Sequence, residues 1–310
     1  MINRELIRLK VLQLTYAYYQ NGNRTVENTE KELFFSLGKA YDLYMMLLAL
    51  IVALTNEGKR RYEIEKVRAV REGKELKESR FITNRFAQQL AENETLCNFL
   101  EDRSHRWDDD EELIKKLYTQ ITQSAEYHYY IEKEEDSYEV DRSFWRSIYK
   151  QLITENEDLE EVLEGKSIYW NDDKPTIDTF VLKTIKRFDP ENGASQPLLN
   201  DYNNETEDKD FARRLIRNTI NNAEEYQQYM VECAENWTLD RFAFMDVIIM
   251  QMAVAEMLTF PNIPVSITIN VYVDLAKLYS TQKSWKFVNG LLDAIAHRLI
   301  DERKMLKEMK

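Results

Sequence analysis

Residues 283–293, with the sequence KSWKFVNGLLD, are the stretch that decides the fold of this chain of 310 residues. Apolar residues in and just after this stretch recur at the spacing of one helical face. Gly290 stands inside that pattern, where glycine costs about 1 kcal/mol relative to alanine unless another backbone approaches closely. The stretch therefore predicts a helix that packs closely at Gly290. Its apolar face consists of Phe287, Val288, Leu291, Leu292, Ile295 and Leu299.

Three other segments carry equally specific sequence. Residues 263–277 read IPVSITINVYVDLAK, and residues 4–17 read RELIRLKVLQLTYA. The third segment is residues 237–256. Taken in chain order together with residues 283–293, the three segments resemble the NusB family of bacterial transcription antitermination factors. The residues that carry the resemblance in the first and central segments are Gln13, Tyr16, Trp237, Arg241, Ala253 and Glu256.

The resemblance implies an all-α fold, a NusB-like helical bundle of two packed sub-bundles. Residues 1–22 would supply its first core helix and residues 206–310 its C-terminal bundle. We interpret residues 23–205 as an acidic helical insertion, within which part of residues 30–54 is a candidate second core helix. Because typical members are roughly half as long as this chain, the resemblance does not assign a role to the insertion.

Composition favours helices independently of the resemblance. The chain has only 7 glycines and 5 prolines, and turns and strands need these residues more than long helices do. Apolar spacing predicts the following helices: Glu5–Gln20, Glu27–Glu72, Ile82–Glu101, Glu111–Glu132, Arg142–Glu161, Thr176–Arg187, Phe211–Asn236, Leu239–Leu258, Ser266–Tyr279 and Ser284–Lys307.

The apolar and cysteine content predicts a soluble cytoplasmic protein with no membrane partner. The longest apolar run, residues 43–54, has 12 residues, whereas a membrane-spanning helix needs about 20. Residues 1–10 alternate charged and apolar side chains, unlike a secretory signal. Cys97 and Cys233 lie far apart in sequence, so neither a disulfide framework nor a zinc site is indicated.

The charge distribution separates the two ends of the chain from its middle. The net charge is −13, yet residues 1–20 carry +2 and residues 261–310 carry +3, which leaves −18 for the rest. A solvated acidic face explains most of that excess. Residues 127–149 are rich in aromatic side chains beside acids, and two interpretations stay open for them. They form a core between two helices, or an exposed part of them is a docking surface for a basic partner.

Catalytic motifs are missing from the sequence. His105, His128 and His297 are widely separated, and none has glutamate three residues earlier, as a di-iron bundle would require. No phosphate-binding glycine loop and no nucleophile elbow are present. We therefore expect a protein that is not an enzyme, with no metal and no cofactor.

The resemblance implies that the basic ends bind RNA. Arg4 and Arg8 lie one helical turn apart with Lys10 beside them, so their side chains would follow successive phosphates. Gln13 and Tyr16 would contact single-stranded bases by hydrogen bonding and stacking. Composition alone favours the plainer alternative, in which the arginines are a solvated helix start.

Lys283 and Lys286 begin the last predicted helix, where cations oppose the helix dipole. Bound phosphate would explain them, and Asn289 is either a further RNA contact or an internal hydrogen-bonding residue. The resemblance also implies that acids of the central helix, Asp246 and Glu256, face a protein partner, although solvated acids are the alternative. Two departures from the family pattern, Val271 and Gln251, alter polar positions that its members use.

These residues predict a factor that binds boxA-like single-stranded RNA together with a NusE-type small-subunit ribosomal protein. It would act on the transcribing RNA polymerase complex of ribosomal RNA operons. The alternative is a non-catalytic helical scaffold that docks basic proteins through its acidic insertion. An RNA-modifying enzyme with a NusB-like domain is disfavoured, because the NusB-like segment leaves no room for a methyltransferase domain.

Overall fold

A computed structural model describes residues 1–22, 25–234 and 241–305. Within them the chain is all-α, as predicted, apart from short 3-10 and π turns and one isolated bridge between Ile2 and Tyr202. The predicted helix ends at Asn236, Leu239 and Lys307, and also Trp237, lie outside the described residues. The α-helices are α1 (Arg4–Asn21), α2 (Val26–Arg71), α3 (Arg85–Ala91), α4 (Glu94–Phe99), α5 (Glu111–Gln123), α6 (Ala125–Glu132), α7 (Tyr138–Ile148), α8 (Glu157–Lys166), α9 (Lys174–Arg187), α10 (Glu205–Asn221), α11 (Ala223–Cys233), α12 (Phe244–Thr259), α13 (Val265–Tyr279) and α14 (Ser284–Asp301).

Several predicted long helices are interrupted at asparagine or serine. Asn93 separates α3 from α4, and its side chain accepts a hydrogen bond from the amide of Leu96 at 3.1 Å. Ser124 does the same between α5 and α6, with the Tyr127 amide at 3.2 Å, and Asn222 divides α10 from α11. The Asn93 and Ser124 side chains satisfy amides at a helix start that have no partner within the helix, whereas the Asn222 side chain makes no such bond. The predicted continuous helices were therefore wrong at these points.

Helix α2 is one uninterrupted helix of 46 residues, close to the predicted span. Residues 43–51 and Leu54 within it are buried, as expected of a core helix. By length and composition alone α2 could cross a membrane, but 67% of its most apolar window is buried inside the protein. Burial of that kind is typical of a core helix in a folded domain.

The chain divides into two compact units. The first unit comprises Met1 and Gly38–Asp201, and the second comprises Ile2–Leu37 and Tyr202–Lys310. The second unit thus joins the two ends of the sequence, and the first is formed by the segment between them. The start of α2 belongs to the second unit, and part of it falls within residues 30–54, the range of the candidate second core helix.

The core of the first unit includes tryptophan side chains that also satisfy backbone groups of α2. Trp107 donates its indole N–H to the carbonyl of Met46 at 2.9 Å, and Trp170 donates to the carbonyl of Lys39 at 2.7 Å. Tyr44 of α2 shares a hydrogen bond of 2.7 Å with Thr184 of α9. These bonds anchor the apolar run of α2 within its unit.

Helix α12 is the centre of the second unit. It packs against α1, α10, α11, α13 and α14, and residues 246–257 are buried on every side. One buried amide within it, Gln251, donates hydrogen bonds to the hydroxyl of Tyr19 and the carbonyl of Thr219, both at 2.6 Å. Gln251 is one of the two departures from the family pattern, and in this unit its side chain is held by a network of hydrogen bonds.

Gly58 of α2 and Gly290 of α14 have opposite surroundings. A Cβ atom added at Gly290 would meet no neighbour within 4 Å, so the predicted close packing at Gly290 is wrong for this unit. A Cβ at Gly58 would lie 2.8 Å from Cε1 of Phe81 and 3.1 Å from Cε2 of Tyr118. The close approach that requires glycine is therefore at Gly58.

We expect alanine substitutions at these glycines to change stability in opposite directions. Gly290→Ala should raise the free energy of unfolding by about 0.5–1 kcal/mol, since alanine is the better helix former and the site is open. Gly58→Ala should lower it by about 1–3 kcal/mol, because the new methyl group must displace the Phe81 ring. Chemical denaturation of both variants measures the two effects, and destabilisation by Gly290→Ala would contradict the open environment.

Candidate nucleic-acid interface

Arg8 is withdrawn from solvent by a buried ion pair. Its side chain is bonded to Glu256 of α12 in a bidentate arrangement, with Nε–Oε2 at 2.7 Å and Nη2–Oε1 at 2.8 Å. The hydroxyls of Thr268 and Tyr272 from α13 donate to the same carboxylate at 2.9 and 3.0 Å. Burial opposes the charge on Arg8, but the hydrogen bonds and charge of Glu256 outweigh it and raise the Arg8 pKa.

This arrangement corrects two predicted roles. Arg8 is 5% exposed and Glu256 is fully buried, so neither can meet a phosphate or a protein partner at the surface. Lys10 is 1% exposed and is likewise removed from the predicted phosphate path. A guanidinium and a carboxylate buried together satisfy one another, whereas each alone would be a desolvated charge. Of the three predicted N-terminal cations, Arg4 alone is exposed, and its guanidinium lies 5.2 Å from the Phe211 ring centroid.

Tyr16 and Phe244 form an exposed aromatic pair at the start of α12. Their ring centroids are 5.7 Å apart in an edge arrangement, and they are 40% and 45% exposed. Tyr19 packs its ring edge-on to Phe244 at 6.2 Å, and Gln13, one turn before Tyr16, is half-buried. Aromatic faces left partly open in this way can accept stacked bases.

Asp246 joins the starts of α12 and α14. It is 3% exposed and its Oδ2 accepts a hydrogen bond from the Ser284 hydroxyl at 2.8 Å. The predicted role of Asp246 as a partner contact is therefore wrong, because the carboxylate is directed into the unit. The same bond brings Lys283, beside Ser284, to the end of the unit that carries Phe244.

Lysines surround the half-buried ring of Trp285 at this end. The ammonium groups of Lys277 and Lys286 lie 5.6 and 5.3 Å from its ring centroid, and Lys283 and Asn289 are exposed beside them. Lys277 also pairs with Asp274 at 2.7 Å. We call the group formed by these side chains the aromatic–lysine surface: Tyr16, Phe244, Lys277, Lys283, Trp285 and Lys286.

The aromatic–lysine surface contains residues that the sequence reasoning missed. Phe244, Trp285 and Lys277 were not among the predicted contacts. Trp285 had a local signal, because it stands between two lysines in the order Lys-Ser-Trp-Lys. Phe244 had none, since its proximity to Tyr16 depends on how α1 packs against α12.

Metal chemistry has no support among the described residues, where no group of histidine, cysteine, aspartate or glutamate is arranged to hold an ion. The aromatic–lysine surface offers cations and ring faces instead. Its chemistry is therefore that of a binding surface for an anionic, aromatic chain.

Comparison with known proteins identifies the family. A family model described as the NusB family matches residues 176–297. The transcription antitermination protein NusB of Geotalea daltonii is 32% identical over 137 residues, which cover 44% of this chain and 91% of that protein. This chain belongs to the NusB family.

Other NusB matches are shorter or more distant. The NusB protein of Chloroherpeton thalassium is 43% identical over 86 residues, which are 28% of this chain and 41% of that protein. A solved structure of T. maritima NusB is 28% identical and covers 47% of this chain and 90% of that chain, with a TM-score of 0.30. The matches to three NusB proteins span 41%, 62% and 64% of their lengths, less than two thirds in each case. The family model and the Geotalea daltonii relative confirm the resemblance inferred from the motifs.

We expect the two N-terminal arginines of this NusB-family chain to differ in their effect on stability. Arg8→Ala leaves the Glu256 carboxylate buried without its cation and should destabilise the fold by about 3–5 kcal/mol. Arg4→Ala, at an exposed position, should change the free energy of unfolding by less than about 1 kcal/mol. Urea denaturation distinguishes the two outcomes.

A partner substitution provides the control for this comparison. Adding Glu256→Gln to Arg8→Ala removes the stranded charge while keeping an oxygen acceptor for Thr268 and Tyr272. The double variant should recover part of the lost stability. Equal stability of the Arg8→Ala and Arg4→Ala variants would mean that the buried ion pair is not formed.

Proposed function

We propose that this protein is a non-catalytic transcription antitermination factor that binds boxA-like single-stranded RNA. The observation that carries the proposal is the aromatic–lysine surface, with the exposed pair Tyr16 and Phe244 and the lysines around Trp285. Membership of the NusB family supports it, since the relatives are named transcription antitermination proteins. In this proposal residues 23–205 are an insertion into the NusB-like domain, apart from the start of α2, which belongs to the second unit.

The chemistry of the surface suits a single strand rather than a duplex. Tyr16 and Phe244 offer ring faces on which unpaired bases stack, and each stacked base contributes roughly 1–3 kcal/mol. Lys283 caps the start of α14 and Lys286 lies in its first turn, so their ammonium groups can neutralise neighbouring phosphates. Asn289, exposed on the next turn, offers an amide to a base edge.

Affinity for RNA alone should be modest. Burial of Arg8 and Lys10 leaves Arg4 as the exposed cation among the three predicted on α1. A surface with few cations gains little free energy from counterion release. We therefore propose that a NusE-type ribosomal protein binds together with the RNA and completes the interface on transcribing RNA polymerase, in the cytoplasm. The two acids predicted to meet that partner, Asp246 and Glu256, are buried and are not part of this proposal.

Replacing the two lysines of α14 tests the RNA surface. The double variant Lys283→Ala with Lys286→Ala should weaken boxA RNA binding at least tenfold, because it removes two phosphate contacts. The slope of log affinity against log salt should become shallower by about 1.4, at about 0.7 per phosphate on a single strand. Fluorescence anisotropy with a boxA oligonucleotide, with and without the ribosomal partner, measures both quantities.

The chain offers a matched control for this variant. Lys183 and Lys186 are exposed on α9 of the first unit with the same spacing of three residues. Lys183→Ala with Lys186→Ala changes the net charge equally and should leave the RNA affinity nearly unchanged. Equal losses in both double variants would show a general charge effect, and no loss in either would place the RNA elsewhere.

A further inference from the structure

A cavity of about 380 Å³ opens in the first unit beside α6 and α7. It is separate in sequence from every residue of the aromatic–lysine surface, and neither the family relationship nor the proposed RNA binding uses it. Its volume lies in the range of roughly 300–1,000 Å³ that is usual for ligand pockets. The lining residues are Glu126, Tyr129, Tyr130, Lys133, Glu135, Glu139, Val140, Ser143, Phe144 and Ser147.

The floor of this pocket is a fixed pair of aromatic rings. Tyr130 and Phe144 stack with centroids 4.1 Å apart and planes within 14°. The Tyr130 hydroxyl donates to Asp141 Oδ1 at 2.8 Å and accepts from Asn84 Nδ2 at 3.0 Å. Arg85 Nε donates to the other Asp141 oxygen at 2.8 Å. Because its members are already held in place, the floor would not have to reorganise when a ligand binds.

The rim of the pocket combines an open ring with negative charge. Tyr129 is 68% exposed, although it lies beside the buried Tyr130. Among the lining residues there are three glutamates and a single cation, Lys133. Hydrogen bonds from Lys133 and Ser137 lower the pKa of Glu135, and one from Arg142 lowers the pKa of Glu139. Both carboxylates therefore keep their charge into mildly acidic solution.

Lys133 shows which chemistry the pocket accommodates. Its ammonium group lies 5.9 Å from the Tyr129 ring centroid and 3.2 Å from a Glu135 oxygen. A cation thus already occupies the position between a ring face and a carboxylate, where both attract it. An incoming cation would find the same environment, in competition with Lys133.

Another cavity in the first unit has a weaker preference for cationic ligands. It has a volume of about 670 Å³ and is bordered by both acids and bases. Glu57 on its wall is already held by Arg60 and Arg61, each at 2.7 Å. Its lining has four acids and three bases, whereas the pocket beside α6 and α7 has three acids and one base, so its preference for a cationic ligand is weaker.

We propose that the pocket beside α6 and α7 is a docking site for an arginine or lysine side chain of a basic protein segment. The aromatic floor and Tyr129 would contact the aliphatic stem and the cationic head. Glu126 would supply the opposite charge, and Glu135 would add to it once Lys133 is displaced. RNA is disfavoured at this site, because the same carboxylates repel phosphates at ordinary ionic strength. The partner is therefore a protein with an exposed basic segment.

A short synthetic peptide tests the site in the full-length protein. The probe is acetyl-Gly-Arg-Gly-Arg-Gly-amide, compared with the same peptide containing neutral citrulline in place of arginine. Calorimetry should show binding of the arginine peptide at least tenfold tighter than that of the citrulline peptide. Tyr129→Ala with Glu126→Gln should weaken arginine-peptide binding at least tenfold without lowering the thermal midpoint, since both side chains lie at the rim.

Variants that are expected to change the peptide affinity in different directions make the test more specific. Lys133→Ala removes the competing cation and should tighten peptide binding at least threefold. Lys183→Ala makes the same charge change on α9, outside the pocket, and should leave binding within a factor of two. Tyr16→Ala, on the aromatic–lysine surface, should also leave peptide binding unchanged, so failure here is distinguishable from failure of the RNA proposal.

Three results would overturn the proposal. These are equal binding of the arginine and citrulline peptides, unchanged binding by the Tyr129→Ala and Glu126→Gln variant, and weaker binding by Lys133→Ala. Ultraviolet crosslinking of boxA RNA provides an independent check. Adducts concentrated in residues 126–147 would assign the pocket to nucleic acid and exclude the basic segment as its occupant.

Discussion

The second unit depends on a single buried charge pair, Arg8 with Glu256. Three helices converge on it, because α1 supplies the guanidinium, α12 the carboxylate and α13 the two hydroxyls that complete its hydrogen bonds. The carboxylate oxygens accept hydrogen bonds on both sides, so removal of any one helix would leave a desolvated polar group. Apolar packing around α12 tolerates small adjustments of neighbouring helices, whereas a bidentate ion pair tolerates very little. The pair therefore specifies how α1 lies on α12, and through that contact it places Tyr16 beside Phe244.

Sequence patterns predicted the helical class and most of the helices, because apolar spacing and helix propensity are local properties. The run at residues 43–54 and the spacing after Phe287 both correspond to buried helical faces. The interruptions at Asn93, Ser124 and Asn222 were missed, since a polar residue inside an amphipathic pattern is read as part of the exposed face. Whether such a side chain faces solvent or caps a new helix depends on the direction in which the chain continues after it.

The exposure of the candidate binding residues was predicted only in part, and the errors share one cause. Arg4 and Arg8 look equivalent in sequence, one turn apart on the same helix, yet one is exposed and the other is buried against a residue 248 positions away. Nothing local distinguishes them. Asp246 and Glu256 were misassigned for the same reason, because an acid in a helix looks solvated until its long-range partner is known. Residues whose roles depend on local order, such as Lys283 and Lys286 at a helix start, were placed at the surface correctly.

The position of the ion pair also bears on how a chain of this size can arise within its family. In the sequence, residues 8 and 256 flank Gly38–Asp201, the main segment of the first unit, and their contact belongs entirely to the second. The conformational entropy lost in closing a loop grows only with the logarithm of its length, so each doubling adds about 0.6 kcal/mol. An ancestral gene could therefore lengthen or shorten between these codons with little penalty to the domain that they hold together. The Arg8–Glu256 pair tolerates substitution far less, because replacing one of the two residues leaves the other as a buried charge without a counter-ion until it is replaced too. Changes in length between residues 8 and 256 should thus be tolerated in evolution, whereas substitutions at these two positions should occur together.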